Sequence, residues 1–175
     1  MRAGYPWRGA LLDLDARLTQ RLRIAERPGL LRSLAAFLAH SGDSWFWAAG
    51  LVLIWLLGSP DWRRRALFLL ISIILLAALV LLVKFSVRRR RPAGEWGGIY
   101  RSTDPHSFPS GHAARAAMLA VLGLGLGPPW FGIVLVLWAP LVSLARVAMG
   151  LHYLSDVVAG VLLGVLAGVV ALLFR

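Results

Sequence analysis

At 175 residues the chain is long enough for one domain, yet 59% of it is hydrophobic and its mean hydropathy is +0.73, more than a soluble core of that size needs. A formal charge of +11 raises nucleic acid as a partner, but no base-reading motif or soluble basic domain accompanies it, and anionic lipid fits better. With no cysteine there is no disulfide framework, no thiol nucleophile and no cysteine metal site.

In chain order, residues 9–27 place Leu11, Leu14, Leu18 and Leu22 at helical spacing opposite charges, as in an amphipathic helix lying on a membrane surface. No apolar run precedes it, so it does not read as a signal peptide. Residues 29–42, short and carrying Arg32, read as a weak first span with a snorkelling arginine, the alternative being an interfacial helix. Five stronger apolar segments follow at 45–58, 66–83, about 110–127, 129–145 and 157–174. The uncharged stretch 66–83 covers, at about 1.5 Å per residue, most of a roughly 30 Å hydrocarbon layer. No linker or repeat divides the chain. The expectation is one all-α domain over residues 1–175, a bundle of six transmembrane helices preceded by an amphipathic helix.

A simple weave of these spans puts the loops near 42, 84–109 and 146–153 on one face, and the loops near 59–65 and 127–129 with both termini on the other. The basic "DWRRR" at 61–65 and the arginine-rich N-terminal helix mark their side as cytoplasmic. On that reading the polar loops lie on the extracytoplasmic face of the membrane. The long loop opposite is itself basic, holding Lys84, Arg88, Arg89, Arg90, Arg91 and Arg101; part of that charge is assigned to chemistry and part to lipid headgroups.

Four polar groups fall at helix ends on that one face. In "KFSVRRRRP" Lys84, the single lysine beside eighteen arginines, ends a span and Arg91-Pro92 follows. In "FPSGH" Ser110 stands where a helix N-cap is preferred. A helix start offers free N–H groups and the positive end of the dipole, and Gly111 lets a phosphate approach the backbone. His112 is placed to donate a proton to a departing oxygen. Arg146 ends the next span, and "HYLSD" opens the last with His152 and Asp156 four residues apart on one helical face. There the carboxylate can fix the tautomer that leaves the other imidazole nitrogen free to attack. Each motif alone also has a plain structural reading: a basic anchor, a capped helix, a His-Asp cap. Gly160, Gly164 and Gly168 continue the Asp156 register as a small-residue series that admits a neighbouring helix.

Together, "KFSVRRRRP", "PSGH" and "ARVAMGLHYLSD" resemble the three signature motifs of the type 2 phosphatidic acid phosphatase family, K-x6-R-P, P-S-G-H and S-R-x5-H-x3-D, in order and spacing over residues 84–156. The resemblance implies a six-helix membrane phosphatase that needs no metal or other cofactor and cleaves a lipid phosphate or diphosphate. Its substrate would be an isoprenoid diphosphate, phosphatidylglycerol phosphate, phosphatidic acid or a lipid A phosphate. By the same resemblance His152 is the nucleophile that becomes phosphohistidine, Asp156 orients it, and His112 is the general acid. Lys84, Arg91, Ser110, Gly111 and Arg146 hold the phosphoryl oxygens. Two positions depart from the pattern: Ala145 replaces the serine before the motif arginine, and Leu154 stands where many members have proline. Arg115 has no role in the motifs and reads as a snorkelling or headgroup arginine. In the loop 93–106, Glu95, Trp96, Tyr100 and His106 are available to a headgroup. The alternatives are phosphoryl transfer to a second lipid at the same site, and a non-catalytic transporter or lipid-binding protein.

Overall fold

The computed structural model describes residues 6–94 and 96–175, so Glu95 lies outside the described residues. Among the described residues eight helices run in the order α1 (Pro6–Leu22), α2 (Leu30–Ser41), α3 (Ser44–Leu57), α4 (Pro60–Val87), α5 (Gly98–Thr103), α6 (Gly111–Leu126), α7 (Pro129–Ala148) and α8 (Leu154–Leu172). Among the described residues the one β-type pairing is an isolated bridge, Arg90 with His106. Helices α4, α7 and α8 are long and apolar enough to cross a membrane, and α3 and α6 are shorter apolar helices. These five match the strong apolar segments of the sequence.

Helix α6 is the centre of the bundle and packs most extensively against α8 and α7. Its residues Ala113 to Ala120 are all buried, and five of the eight are alanine, so α6 presents little bulk to its neighbours. Gly160, Gly164 and Gly168 of α8 face it. A Cβ on Gly160 would stand 2.5 Å from the Ser110 carbonyl oxygen, and one on Gly164 only 2.0 Å from that of Ala114. The small-residue series does what its spacing suggests: two backbones meet where no side chain fits. The outward faces of α3, α4, α7 and α8 carry exposed Leu, Ile, Val, Phe and Trp, as surfaces meant for lipid require.

The structure departs from the expected weave at its N-terminal end. Helix α2 has 12 residues, about 18 Å at 1.5 Å per residue, too short for the hydrocarbon layer. Just before it, Ile24 N donates to Ala148 O at the end of α7 (2.8 Å). Just after it, Gly42 accepts from Arg115 near the start of α6 (3.1 Å). Both of its ends therefore belong to the same rim. Ala35 and Ala39 pack with Ala145 and Met149 at the end of α7, while Leu30, Leu31, Leu34 and Phe37 are exposed. The expected first span over 29–42 is thus a rim helix with an apolar outer face, an amphipathic pattern whose leucine content resembles that of a span.

It follows that α1 lies on the rim holding the motifs, not across the membrane from it. Thr19 Oγ1 accepts from Leu154 N (3.0 Å) and Asp15 Oδ1 from Ser155 N (3.0 Å). Trp7, Leu11, Leu12, Leu14 and Leu22 face outward, as expected of an interfacial helix.

Candidate active site

The rim formed by the start of α6, the start of α8 and the ends of α4 and α7 encloses a polar cavity of about 220 Å³. Lys84, Arg91, Gly111, His112, Arg146 and His152 line it. Six of the eight residues singled out in the sequence therefore converge on one space. Ser110 and Asp156, both fully buried, stand one layer behind. Ser110 caps α6 by accepting from Ala113 N (3.5 Å), and its own N–H donates to Asp156 O (2.9 Å). That bond ties the starts of the two helices together.

His152 is 1% exposed. Its Nδ1 lies 2.8 Å from the Ser107 carbonyl oxygen and 3.7 Å from Asp156 Oδ2. Because a carbonyl can only accept, Nδ1 carries the proton and Nε2 presents a lone pair. Here the structure differs from the expectation that Asp156 fixes the tautomer: the backbone of Ser107 does so, and Asp156 contributes charge from just beyond hydrogen-bond reach. Nε2 faces the cavity, 3.1 Å from Arg91 Nη1. Burial pushes the imidazole down to about 3; Asp156 opposes the shift, and Arg146 and Arg91 add to it. The ring is therefore neutral, as a nucleophile must be.

The cations are arranged unevenly. Lys84 Nζ and Arg91 Nη2 both bond Asp104 Oδ2, the second at 2.9 Å, so one carboxylate neutralises part of the pair. Arg146 is 0% exposed, and its Nε and Nη2 have no hydrogen-bond partner. Its Nη1 reaches Ala39 O at 3.4 Å and its guanidinium lies 4.4 Å from the Tyr100 ring centroid.

His112 Nε2 lies 2.7 Å from Asp43 Oδ1. Asp43 also accepts from Tyr100 Oη (2.9 Å) and sits 3.2 Å from His40 Nδ1. Burial works to raise this carboxyl, but the bonds from His112, Tyr100 and His40 together outweigh it and hold Asp43 well below the usual carboxylate range. Asp43 occupies the N-cap position of α3 yet makes no capping bond; its side chain is committed to the histidine instead. The sequence signal was an acidic residue just ahead of the apolar run 45–58.

Arg115 corrects a further expectation. It is 6% exposed, donates Nε to Gly42 O (3.1 Å) and Nη1 to Ser44 Oγ, and lines the cavity. It does not snorkel; it holds the α2–α3 junction, and with it Asp43, against α6. Tyr100 joins the site as well, but Trp96 packs beside His40 and His106 against Phe85, away from the cavity lining. Among the described residues no group of three or more His, Cys, Asp or Glu stands close enough to hold a metal ion.

A PAP2 superfamily model matches residues 65–175. Decaprenylphosphoryl-5-phosphoribose phosphatase of Mycobacterium tuberculosis is 34% identical over 149 residues, 84% of this chain and 81% of its own length. Undecaprenyl-diphosphatase of Sulfolobus acidocaldarius is 33% identical over 138 residues, 77% of this chain and 66% of its own. The crystal structure of the transmembrane PAP2-type phosphatidylglycerolphosphate phosphatase of Bacillus subtilis superposes with a TM-score of 0.76 at 25% identity, covering 94% of this chain and 86% of that one. All three are phosphatases, in keeping with a phosphoric monoester hydrolase, and the matched stretch contains every motif residue lining the cavity. The chain belongs to the PAP2 superfamily.

Proposed function

We propose that this protein is a single-domain integral-membrane lipid phosphatase that works through a phosphohistidine on His152 and without a metal. The observation that carries the reading is Arg146: a fully buried guanidinium with Nε and Nη2 unpartnered, lining the same cavity as His152. Leaving two buried donors of a charged group unpaired costs on the order of a few kcal/mol, and a phosphoryl group would supply the missing acceptors. In the proposed first step His152 Nε2 forms a bond to phosphorus as the bond to the lipid oxygen breaks in line, and His112 gives that oxygen its proton. In the second, His112 takes a proton from water, whose oxygen attacks phosphorus and releases His152. Lys84, Arg91, Arg146 and the N–H groups at Gly111 compensate charge on the equatorial oxygens, which is most of what phosphoryl transfer asks of a protein. Asp104 would yield Lys84 and Arg91, at least in part, to the incoming phosphate.

The substrate class follows from the walls. Ile73, Leu76, Ala77, Val80 and Leu81 of α4 form the apolar side of the cavity, and an apolar groove of about 520 Å³ between α4 and α8 shares Leu76 with it. A polar head held at the rim with a long hydrocarbon chain below fits an isoprenoid-linked phosphate, as the names of two relatives suggest. We read five crossings, α3, α4, α6, α7 and α8. With α1 and α2 on the site's rim, Arg17, Arg21, Arg27, Arg88 and Arg90 are exposed on that side against Arg63, Arg64 and Arg175 on the other. The extracytoplasmic placement rested on the basic loop 61–65 and on α1 lying opposite the site; with α1 moved, the balance of positive charge favours a cytoplasmic site.

The test is phosphate release by the purified full-length protein, in excess chelator, from a polyprenyl phosphate, a polyprenyl diphosphate, phosphatidylglycerol phosphate and phosphatidic acid, with His152→Ala as control. Release from a polyprenyl substrate that is lost in the variant is expected. Dependence on added divalent ions, or equal release by His152→Ala, would refute the scheme.

A further inference from the structure

Asp156 is a fully buried carboxylate beside the reacting histidine, and something must compensate its charge. Its Oδ2 accepts from Tyr153 N (2.9 Å) and its Oδ1 from Arg89 Nη1 (2.7 Å). Arg89 is neither of the two basic residues of its motif, yet its guanidinium is the counter-ion that Asp156 meets. The same Nη1 reaches Ser155 Oγ (2.7 Å), the guanidinium lies 4.0 Å from the Tyr153 ring centroid, and Nη2 donates to Asp15 Oδ2 (2.7 Å). Asp15 in turn accepts from Ser155 Oγ (2.5 Å) and Ser155 N (3.0 Å). One planar guanidinium thus bridges two carboxylates, one on α1 and one on α8, a task for which a rigid fork suits and a lysine does not.

The placement of α1 gives this bridge its meaning. The helix exposes Asp13, Arg17, Gln20 and Arg21 but turns Asp15 and Thr19 toward the start of α8, where both accept backbone N–H groups, so the bonds that seat it there are polar and converge on the residues next to Asp156.

We propose that Asp15 is a positioning residue for phosphoryl transfer, acting through Arg89 to fix Asp156 and thereby the placement of His152 against the bound phosphate. The proposal rests on the histidine reading above. The N-terminal helix is on this account part of the catalytic apparatus, although it lies outside the motif region and outside the stretch matched by the family model, residues 65–175.

The experiment compares Asp15→Asn, Arg89→Gln, the double variant and Thr19→Val in the full-length protein, reading kcat and KM for the best polyprenyl substrate and the thermal unfolding midpoint of each. Asp15→Asn is expected to lower kcat about tenfold to a hundredfold, as a small misplacement of a reacting group does, with KM within about twofold. Arg89→Gln should cost at least as much, and the double variant no more than Arg89→Gln alone, because Asp15 works through Arg89. Thr19→Val removes a different bond between the same two helices and should leave kcat within about twofold. Arg89→Gln should also raise the acid limb of kcat/KM, since Asp156 without its counter-ion favours protonated His152. Equal losses in Asp15→Asn and Thr19→Val, or additive losses in the double variant, would reduce Asp15 to a docking contact and overturn the proposal. Should Asp15→Asn fail to assemble, Arg89→Lys keeps the charge but lacks the fork that bridges Asp15 and Asp156 at once; an unchanged kcat there would overturn the proposal equally. His152→Ala in the same series separates the two claims: turnover without His152 refutes the histidine reading, whereas an inactive His152→Ala beside a wild-type Asp15→Asn refutes only the positioning role.

Discussion

Replacing Gly164 by alanine is the sharpest mechanical test of how the bundle builds the site. The added Cβ would lie 2.0 Å from the Ala114 carbonyl oxygen, 2.7 Å from its carbonyl carbon and 2.9 Å from its Cα. All three are backbone atoms of α6 and cannot rotate away. Ordinary contact begins near 3.4 Å, so α8 must back off by about 1.4 Å, with overpacking of this kind costing about 1–3 kcal/mol. The displacement acts between the helix that starts at Ser110 and the one that follows His152, which the Ser110 N to Asp156 O bond holds together at 2.9 Å. A shift of about 1 Å between reacting groups can lower a rate roughly a hundredfold, so the loss of kcat should exceed what the loss of stability alone would suggest. Phosphate release and the unfolding midpoint in detergent report the two effects. Gly50→Ala, where nothing lies within 4 Å of the new Cβ, is the control and should match wild type in both. Wild-type kcat in Gly164→Ala would refute the claim that close α6–α8 contact sets the site.

Asp43→Asn should lower kcat more than KM, since it leaves His112 with a neutral partner in place of a carboxylate held charged by three hydrogen bonds; an unchanged kcat would free His112 of that dependence. Arg115→Ala should lose most activity through release of the α2–α3 junction, about 2–5 kcal/mol being the usual cost of unmaking a buried charged contact, and near wild-type turnover would restore it to the role of a headgroup arginine. With His152 pushed down to about 3, the neutral nucleophile is lost only as pH falls through that value, so its acid limb in kcat/KM should lie near there; a limb near the ordinary histidine range would contradict the burial argument. Because the chain has no cysteine, Ser102→Cys on the site's rim and Ser59→Cys on the opposite loop can be labelled singly with an impermeant maleimide in intact spheroplasts. Labelling of Ser59→Cys alone is expected; labelling of Ser102→Cys alone would place the site outside.

The motif residues of the cavity were legible in the sequence because their chemistry is tied to helix ends. Lys84 closes one apolar run, Ser110 to His112 open another, and His152 and Asp156 flank the start of the last; the expected shared helical face is not formed, because His152 precedes the N-cap Tyr153 and only Asp156 lies within α8. The glycine series on α8 was legible as a periodic property of one helix. Asp15, Asp43 and Asp104 were not, because each meets its partner across a separation that no local period encodes: Asp43 reaches His112, Asp15 reaches Arg89 and Ser155. The tautomer of His152 depends on a backbone carbonyl, that of Ser107, and carbonyls have no sequence signature. Helix α2 misled because leucine at helical spacing serves a rim helix and a span alike; only its 12-residue length and the location of both ends distinguish them. That one segment carried the sidedness of α1 with it.

The phosphoryl-enzyme itself is the most direct measurement. Wild-type protein turning over a polyprenyl phosphate labelled at phosphorus, quenched in alkali and digested, should carry the label on the peptide containing His152 and in no other place, with the label absent from His152→Ala. Steady turnover with no labelled histidine, or label on Ser110 or another residue, would contradict the account.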